Sequence, residues 1–145
     1  MNLAVKMYLI ANWLWRRGPI GRAPSKIVYW LARLFTLADI DPRAQLDSTV
    51  VITHGSGVVI GETATVGANT RIMPGVVIGA RDWSAAKRHA DVGASVVIGT
   101  GAKILGPVVV GDGARIGANA VVLDNVPPGS TAVGVPAKVV PKVSE

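Results

Sequence analysis

The sequence predicts an all-β chain folded as a parallel β-helix, with a short helical segment before it. An aliphatic residue occupies every sixth position from residue 92 to residue 122 without exception. Glycine follows two of every three of these aliphatics, so the repeating unit consists of three hexads. Three hexads per unit correspond to a coil with three short sides, and such coils stack by pairing their strands. The aliphatics are Val92, Ile98, Ile104, Val110, Ile116 and Val122.

The repeat continues upstream, where it is interrupted twice. Its members there are Ile40, Leu46, Ile52, Ile60, Val66, Ile72 and Ile78. Residues 52–60 make a step of eight instead of six, and residues 78–92 make a step of fourteen instead of twelve. These interruptions contain the only two histidines of the chain, His54 and His89. Because stacking needs neither a histidine nor an interruption, these are the first places to expect chemistry.

Length and composition indicate one domain. The repeat alone fills about a hundred of the 145 residues. We expect a helical segment over 1–38, a β-helix over 39–126 with a loop at 80–91, and a covering segment over 127–145. The chain has no cysteine, which excludes disulfides and thiolate metal sites and is compatible with the cytoplasmic location that we expect.

The N-terminal segment carries the whole net charge. Residues 1–38 contain six basic residues, no acid and three of the four tryptophans, and the formal charge of the chain is +6. The segment reads as two short helices, Leu3–Trp15 and Lys26–Leu37, which are separated by the glycine- and proline-containing stretch 16–24, with Ser25 as N-cap of the second. The first apolar run is too short to span a bilayer, and no signal cleavage site follows it.

Three roles for these helices are considered from that composition. The first is packing on the β-helix or on neighbouring subunits, with the first coil covered. The second is contact with a membrane surface, which suits helices rich in Trp and Arg. Nucleic acid is not expected as a partner, since no recognisable binding module accompanies the charge.

The C-terminal residues leave the six-residue rhythm. Prolines at 127, 128 and 136 cannot donate to a central strand ladder. We therefore expect this segment to fold back over an edge, as the terminal coils of solenoids require.

His54 is the first candidate for catalysis. Asp39 lies fifteen residues earlier, so we expect it about one strand spacing, ~4.8 Å, below the corner of His54. A carboxylate there could fix the tautomer of the ring and leave its other nitrogen as a base. The alternative is that His54 is a corner histidine whose ring is hydrogen-bonded to backbone groups and has no role in catalysis.

The second candidate is the end of the polar stretch 80–89, which we expect to protrude as a loop. Lys87 and Arg88 precede His89 and suit an anionic ligand such as a phosphate or carboxylate. The alternative is a solvated basic loop.

Several motifs in register carry a family resemblance. They are Asp39-Ile-Asp-Pro, His54-Gly-Ser-Gly-Val-Val-Ile-Gly-Glu-Thr-Ala, Arg88-His89, Gly101-Ala-Lys-Ile-Leu-Gly, and Val126-Pro-Pro-Gly with Gly134-Val-Pro-Ala-Lys. Together they resemble the catalytic domain of serine O-acetyltransferases, which belong to the hexapeptide-repeat acyltransferases. The resemblance extends from Asp39 to about Lys142.

The resemblance implies a left-handed parallel β-helix, an exception to the usual right-handed crossover. It implies a homotrimer with sites between subunits and acetyl-CoA as donor. His54 would be the general base and Asp39 would orient it. The acceptor would meet Thr53, Lys87, Arg88 and His89. CoA would lie near Gly79, Gly99, Thr100, Ala118, Gly134 and Lys138, with Lys138 or Lys142 at a phosphate.

Departures from the family pattern bear on the acceptor. Thr53 and Lys87 stand where the family has acids, and the sequence before the repeat has no counterpart of the family's large helical domain. An amino acid's ammonium needs compensating carboxylates in a cleft. We therefore expect acetylation of a sugar hydroxyl or another small non-amino hydroxyl, with L-serine as the alternative.

Two further classes of protein fit the sequence less well. A zinc enzyme of the γ-carbonic anhydrase type needs three histidines, whereas this chain has two and no cysteine, so no metal is expected. A non-catalytic β-helix acting as scaffold or binding module would have no reason to carry both interruptions with the matching motifs.

Overall fold

Three parallel sheets form the sides of a prism in the computed structural model, which describes residues 2–140. The first seven strands are β1 (Asp39–Ile40), β2 (Gln45–Leu46), β3 (Val51–Ile52), β4 (Val59–Ile60), β5 (Thr65–Val66), β6 (Arg71–Ile72) and β7 (Val77–Gly79). The others are β8 (Asp91–Val92), β9 (Val97–Ile98), β10 (Lys103–Leu105), β11 (Val109–Val110), β12 (Arg115–Ile116), β13 (Val121–Val122), β14 (Thr131–Gly134) and β15 (Ala137–Val140).

Each strand from β1 to β10 pairs with the strand that comes three strands later in the chain, as a three-sided coil requires. The sheets have the orders β1-β4-β7-β10-β13, β2-β5-β8-β11 and β3-β6-β9-β12-β14-β15. The prediction of a left-handed parallel β-helix after a short helical segment is therefore confirmed.

The interior follows the hexad pattern. Ile98 and Ala102, a bulky and a small residue of one hexad, both have 0% exposure. The same alternation fills each layer, because successive strand residues point to opposite faces of a sheet and only one face is inside. Side chains on the other face, such as Arg71 and Lys103, are exposed.

The two interruptions change the length of a coil. Asp39 pairs with Val59, so the first coil is longer than three hexads by two residues. Val77 pairs with Lys103, which makes that coil longer than three hexads by eight. Because β7 and β8 are consecutive sides, the fourteen-residue step between Ile78 and Val92 is one regular step enlarged by eight residues. The interpretation of this step as two regular steps with two extra residues was wrong.

Two helices precede the prism. Helix α1 spans Leu3–Trp15, as predicted. The side chain of Asn2 caps it by accepting a hydrogen bond from the amide of Ala4 at 2.8 Å. Helix α2 spans Pro19–Thr36 and begins seven residues earlier than predicted. Proline suits the first position of a helix, so Pro19 starts α2 and does not separate the two helices.

Ser25 is not the N-cap of α2. It lies inside the helix, fully buried, and its hydroxyl donates to the carbonyl of Ala11 at 2.7 Å. Gly18 precedes the helix with φ of 74°, a conformation that glycine adopts readily. The predicted cap was wrong because the hydroxyl joins the two helices instead of ending one.

Helix α1 covers the first coil, which has no coil beneath it. The hydroxyl of Tyr8 donates to the carbonyl of Ala44 at 2.6 Å and accepts from the amide of Leu46 at 3.1 Å. The side chain of Asn12 donates to the carbonyl of Pro42 at 2.8 Å. These polar side chains satisfy backbone groups that stacking leaves unpaired, so the expected capping role is confirmed. Between residues 2 and 140, neither helix is both long enough and apolar enough to cross a bilayer.

The C-terminal segment closes the other end. Strand β14 extends the sheet of β12, and β15 returns antiparallel to it, with Val133 opposite Lys138. Lys142, suggested as a phosphate contact, lies outside the described residues.

Substitution in the interior should be far more costly than on the outer face. Ile72 has 0% exposure, so Ile72→Ala should lower the free energy of unfolding by about 2–5 kcal/mol through lost burial and a cavity. Val51→Ala, at 46% exposure, should change it by less than about 0.5 kcal/mol. Denaturant unfolding at one fixed protein concentration measures both variants, and equal effects would contradict the assigned register.

Candidate active site

A cleft of about 460 Å³ opens on the prism beside the loop of residues 80–90. We call it the loop cleft. Its charged and aromatic lining comes from α2, the first two coils and the loop, and consists of Tyr29, Asp39, Asp41, Arg43, Glu62, Trp83, Arg88 and His89. The sequence interruption at 78–92 therefore brings the predicted residues Arg88 and His89 to the same cavity as residues of the first coil.

His89 is packed against the prism. Its exposure is 4%, and the ring lies against Gly61, where an added Cβ would overlap Nε2. The absence of a side chain at Gly61 is thus what makes room for the imidazole. Burial lowers the pKa of His89, and the positive charges of Arg88 and Lys87 lower it further.

Thr63 determines the tautomer of His89. The backbone amide of Thr63 donates to Nδ1 at 3.3 Å, and its hydroxyl lies 2.8 Å from the same atom. The hydroxyl oxygen also accepts from the amides of Arg88 and His89. Since a backbone amide can only donate, Nδ1 is unprotonated and the neutral ring carries its proton on Nε2. His89 is therefore a hydrogen-bond donor at the edge of the loop cleft.

An alternating row of charges lines the floor of the cleft. The carboxylate of Asp41 accepts from Nε and Nη2 of Arg43 at 2.9 and 2.8 Å. Glu62, largely buried, forms ion pairs with both Arg43 and Arg88. Burial opposes the ionisation of Asp41, yet the hydrogen bonds from Arg43 hold its pKa below its usual value. The row joins the first coil to the loop by way of Glu62.

Arg88 keeps part of its donor capacity free. Its Nη2 binds Glu62, its guanidinium lies 5.8 Å from the ring centroid of Trp83, and its Nε is buried with no partner among residues 2–140. A guanidinium held by one carboxylate retains donors for an anionic group of a ligand.

Lys87 does not line the cleft. Its Nζ donates to the carbonyl of Thr63 at 2.5 Å and to the carboxylate of Asp91 at 2.7 Å. That carboxylate also accepts from Thr65 at 2.5 Å. The positive charge predicted to face the acceptor is therefore neutralised on the outer side of the loop.

Asp39 is held by α2. Its carboxylate accepts from the hydroxyl of Tyr29 at 2.5 Å and pairs with Arg33 at 3.5 Å. Burial and this hydrogen bond raise the pKa of Tyr29 to about 12, so the phenol stays protonated as a donor. Tyr29 thus positions a carboxylate at the mouth of the cleft.

His54 lies outside the loop cleft, at the corner between β3 and β4. Its φ is 60°, its side chain is exposed, and it makes no side-chain hydrogen bond with any residue between 2 and 140. Thr53 directly follows β3. The register places Val59, not His54, above Asp39, because the two extra residues fold over the end of α2, where the amide of Gly57 donates to the carbonyl of Leu37. The expected contact between Asp39 and His54 is therefore not made within one protomer.

Most of the residues predicted to bind CoA share one corner of the prism. An added Cβ at Gly99 would lie 2.6 Å from the amide of Ala118, and the carbonyl of Thr100 accepts from the amide of Asn119. Gly134 and Lys138 belong to the hairpin that extends the same sheet. Gly79 is separate, since it lines the loop cleft.

No group of three His, Cys, Asp or Glu side chains is close enough to hold a metal ion in the part of the chain that the structure describes.

Several residues of the cleft were not singled out from the sequence. Asp41 and Glu62, and Thr63, which bonds His89 outside the cleft lining, all lie within the motifs quoted above, which is the signal that could have identified them. Tyr29 and Arg43 carry no such signal, because only the folding of α2 and the first coil brings them to the site.

Comparisons with known proteins agree on one group of relatives. A family profile described as bacterial transferase hexapeptide (six repeats) matches residues 89–124. A serine acetyltransferase of Mycobacterium tuberculosis is 46% identical over 137 residues, which cover 94% of this chain and 59% of that protein. One from Staphylococcus aureus is 42% identical, covering 94% and 63%. The chain thus spans about three fifths of the length of these curated relatives.

A solved structure agrees with the sequence matches. Soybean serine acetyltransferase complexed with serine is 38% identical and superimposes with a TM-score of 0.91, covering 95% of this chain and 56% of that one.

The protonation of His89 can be measured without ambiguity, because His54→Ala leaves it as the only histidine of the chain. In this variant the single imidazole resonance should titrate below the ordinary value of about 6.5, since burial and two neighbouring cations disfavour the charged ring. Unfolding restores the ordinary pKa, so this histidine weakens folding as the pH falls below that value. Titration by NMR at or above about 6.5 would contradict the assignment.

Proposed function

Because the chain is a serine acetyltransferase-like member of the hexapeptide-repeat family, we propose that it transfers an acetyl group from acetyl-CoA to the hydroxyl of L-serine. The observation that carries the proposal is the similarity over 94% of the chain to serine acetyltransferases. The loop cleft supports it, with Arg88 and His89 beside a row of carboxylates.

The proposed acceptor differs from the one expected from the sequence alone. A sugar or other non-amino hydroxyl was expected, whereas the relatives are serine acetyltransferases and one of them was solved in complex with serine. The expectation of an acceptor without an ammonium rested on two positions where the family has acids. Thr53 was counted as a missing negative charge, and Lys87 as a positive charge in place of a negative one. Lys87 is neutralised by Asp91, however, and two acids that were not counted, Asp41 and Glu62, line the cleft.

The charges of the loop cleft suit a zwitterion. Three carboxylates, from Asp39, Asp41 and Glu62, line it with two guanidinium groups, from Arg43 and Arg88, and His89 is neutral. The carboxylate of serine would bind the free donors of Arg88. Its ammonium would approach the carboxylate of Asp41. The guanidinium of Arg43 that pairs with this carboxylate also pairs with Glu62.

The chemistry requires a base, for which we propose His54. The imidazole would take the proton of the serine hydroxyl while that oxygen attacks the thioester carbonyl. The tetrahedral intermediate would collapse with loss of the CoA thiolate, which takes up the proton. Since His54 lies outside the loop cleft of its own protomer, the proposed homotrimer would bring His54 of one subunit to the cleft of the next.

Asp39 and the corner near Gly99 complete the proposal. Asp39, held by Tyr29 and Arg33, would orient His54 in the assembled enzyme. CoA would run along the corner of Gly99, Thr100 and Ala118, with Lys138 near a phosphate as a mobile point charge. Gly79 would border the acetyl group where the two sites meet.

Removing the proposed base tests the mechanism. His54→Ala should lower turnover by roughly 10²–10⁴, the usual loss when general-base catalysis is removed. Asp39→Asn should cost less, because it disturbs the base without deleting it. Thiol release from acetyl-CoA measures both, with the circular dichroism spectrum and oligomer size as controls for folding. Near wild-type turnover of His54→Ala would contradict the assignment.

A panel of acceptors tests the substrate. L-Serine should be acetylated with a higher kcat/KM than sugars or hydroxy acids, and Asp41→Asn should raise the KM for serine by at least about tenfold, since a hydrogen bond to a charged group is worth about 1.5–3 kcal/mol. Asp47→Asn is the matched control, because this exposed carboxylate binds only Thr49 among residues 2–140 and lies outside the cleft. A sugar as best acceptor, or equal effects of the two substitutions, would refute the proposal.

A further inference from the structure

Helix α2 has three faces, and only one of them is buried. Gly21, Ser25 and Ala32 point inward, with Ser25 bonded to α1. The remaining circumference is divided between apolar and basic side chains. A helix that merely covered the prism would need only one apolar face.

The second face is apolar and exposed. With about 3.6 residues per turn, its members fall on one arc of the helix. Their exposures are 90% for Ile20, 62% for Ile27, 42% for Leu31, 70% for Leu34 and 69% for Phe35. A contiguous row of large apolar side chains of this kind marks an interaction surface. We call it the apolar stripe.

The third face is basic and borders the stripe. It carries Arg22, Lys26 and Arg33, of which Arg33 pairs with Asp39 at 3.5 Å. No acid occurs before Asp39. The apolar stripe is therefore flanked by the positive charges of Arg22 and Lys26, which no acid of the two helices neutralises.

Aromatic side chains sit where apolar and basic residues meet. The guanidinium of Arg17 lies 3.8 Å from the ring centroid of Trp13, and that of Arg33 lies 4.9 Å from that of Trp30. Both tryptophans are more than half exposed. Tryptophan and arginine with this arrangement are typical of the boundary between water and hydrocarbon, where one end of the pair is apolar and the other charged.

From these faces we propose that α2 lies flat on an anionic lipid surface, with the apolar stripe in the acyl boundary and the basic face against the headgroups. Charge complementarity selects this occupant over a second copy of the chain, because two such faces would bring the positive charges of Arg22 and Lys26 of one copy against those of the other. Amphipathic helices of this type bind through apolar area and attraction to anionic lipids together. The inference is independent of the proposed reaction, since none of the stripe residues lines the loop cleft.

Vesicle binding tests the proposal with the whole chain. The protein should sediment with vesicles of phosphatidylcholine mixed with phosphatidylglycerol and not with vesicles of phosphatidylcholine alone. Raising the salt concentration should weaken binding, because exposed charges are screened. Binding to both vesicles alike, or to neither, would overturn the proposal.

Substitutions then separate the two faces. Arg22→Glu with Lys26→Glu should weaken the partition coefficient by at least about 25-fold, since each basic residue near an anionic surface is worth about 1 kcal/mol, a factor of about five. Lys103→Glu with Arg115→Glu changes the net charge equally on the exposed side of the prism and should have a much smaller effect. Equal losses of vesicle binding in the two double variants would mean that only the net charge matters, and would refute a lipid-binding face.

Ile20→Ser with Phe35→Ser should abolish binding without altering the fold, because both side chains are exposed. Val109→Ser, on the outer face of β11, is the control. If the stripe variant instead reduced the size of the assembly in lipid-free solution and left vesicle binding unchanged, the occupant would be a second copy, and the proposal would be wrong.

Discussion

Backbone pairing between successive coils is the constraint on which the molecule depends. Each short strand obtains its partners only from the coil before and the coil after, so position in the prism is set by the count of residues per coil. Where a coil is three hexads long, only packing residues are needed. In the two longer coils the added residues leave the wall, and they bring His54 to the surface in one case and Arg88 with His89 to the cleft in the other.

The same constraint explains the helices. The first coil has no neighbour below it, and its free backbone groups are bonded by Tyr8, Asn12 and Asn2 of the α1 segment. Because α1 lies between the first coil and solvent, α2 buries a narrow face that packs on α1 and touches the prism through Tyr29 and Arg33 at Asp39. The apolar stripe is thus a consequence of how the end of the solenoid is covered.

Features that repeat along the chain could be predicted from the sequence, whereas features that depend on individual contacts could not. The hexad positions and the three sides followed from periodicity, because each repeat reports the same layer, and α1 followed from its apolar run. The start of α2 was missed because Pro19 reads equally as a break or a first turn. The pairing of Lys87 with Asp91, and the arrival of Tyr29 and Arg43 at the cleft, depend on how non-repeating segments fold, which periodicity does not describe.

The loop of residues 80–90 leaves the wall between β7 and β8, while those strands keep their partners in the coils on either side. Its length and composition are therefore uncoupled from the register of the prism. In the proposed function the loop provides Arg88 and His89, whereas the coils provide Asp39, Asp41 and Glu62. Exchange of this one insertion would therefore alter the group proposed to bind the substrate carboxylate, while the acidic side chains of the wall keep their positions.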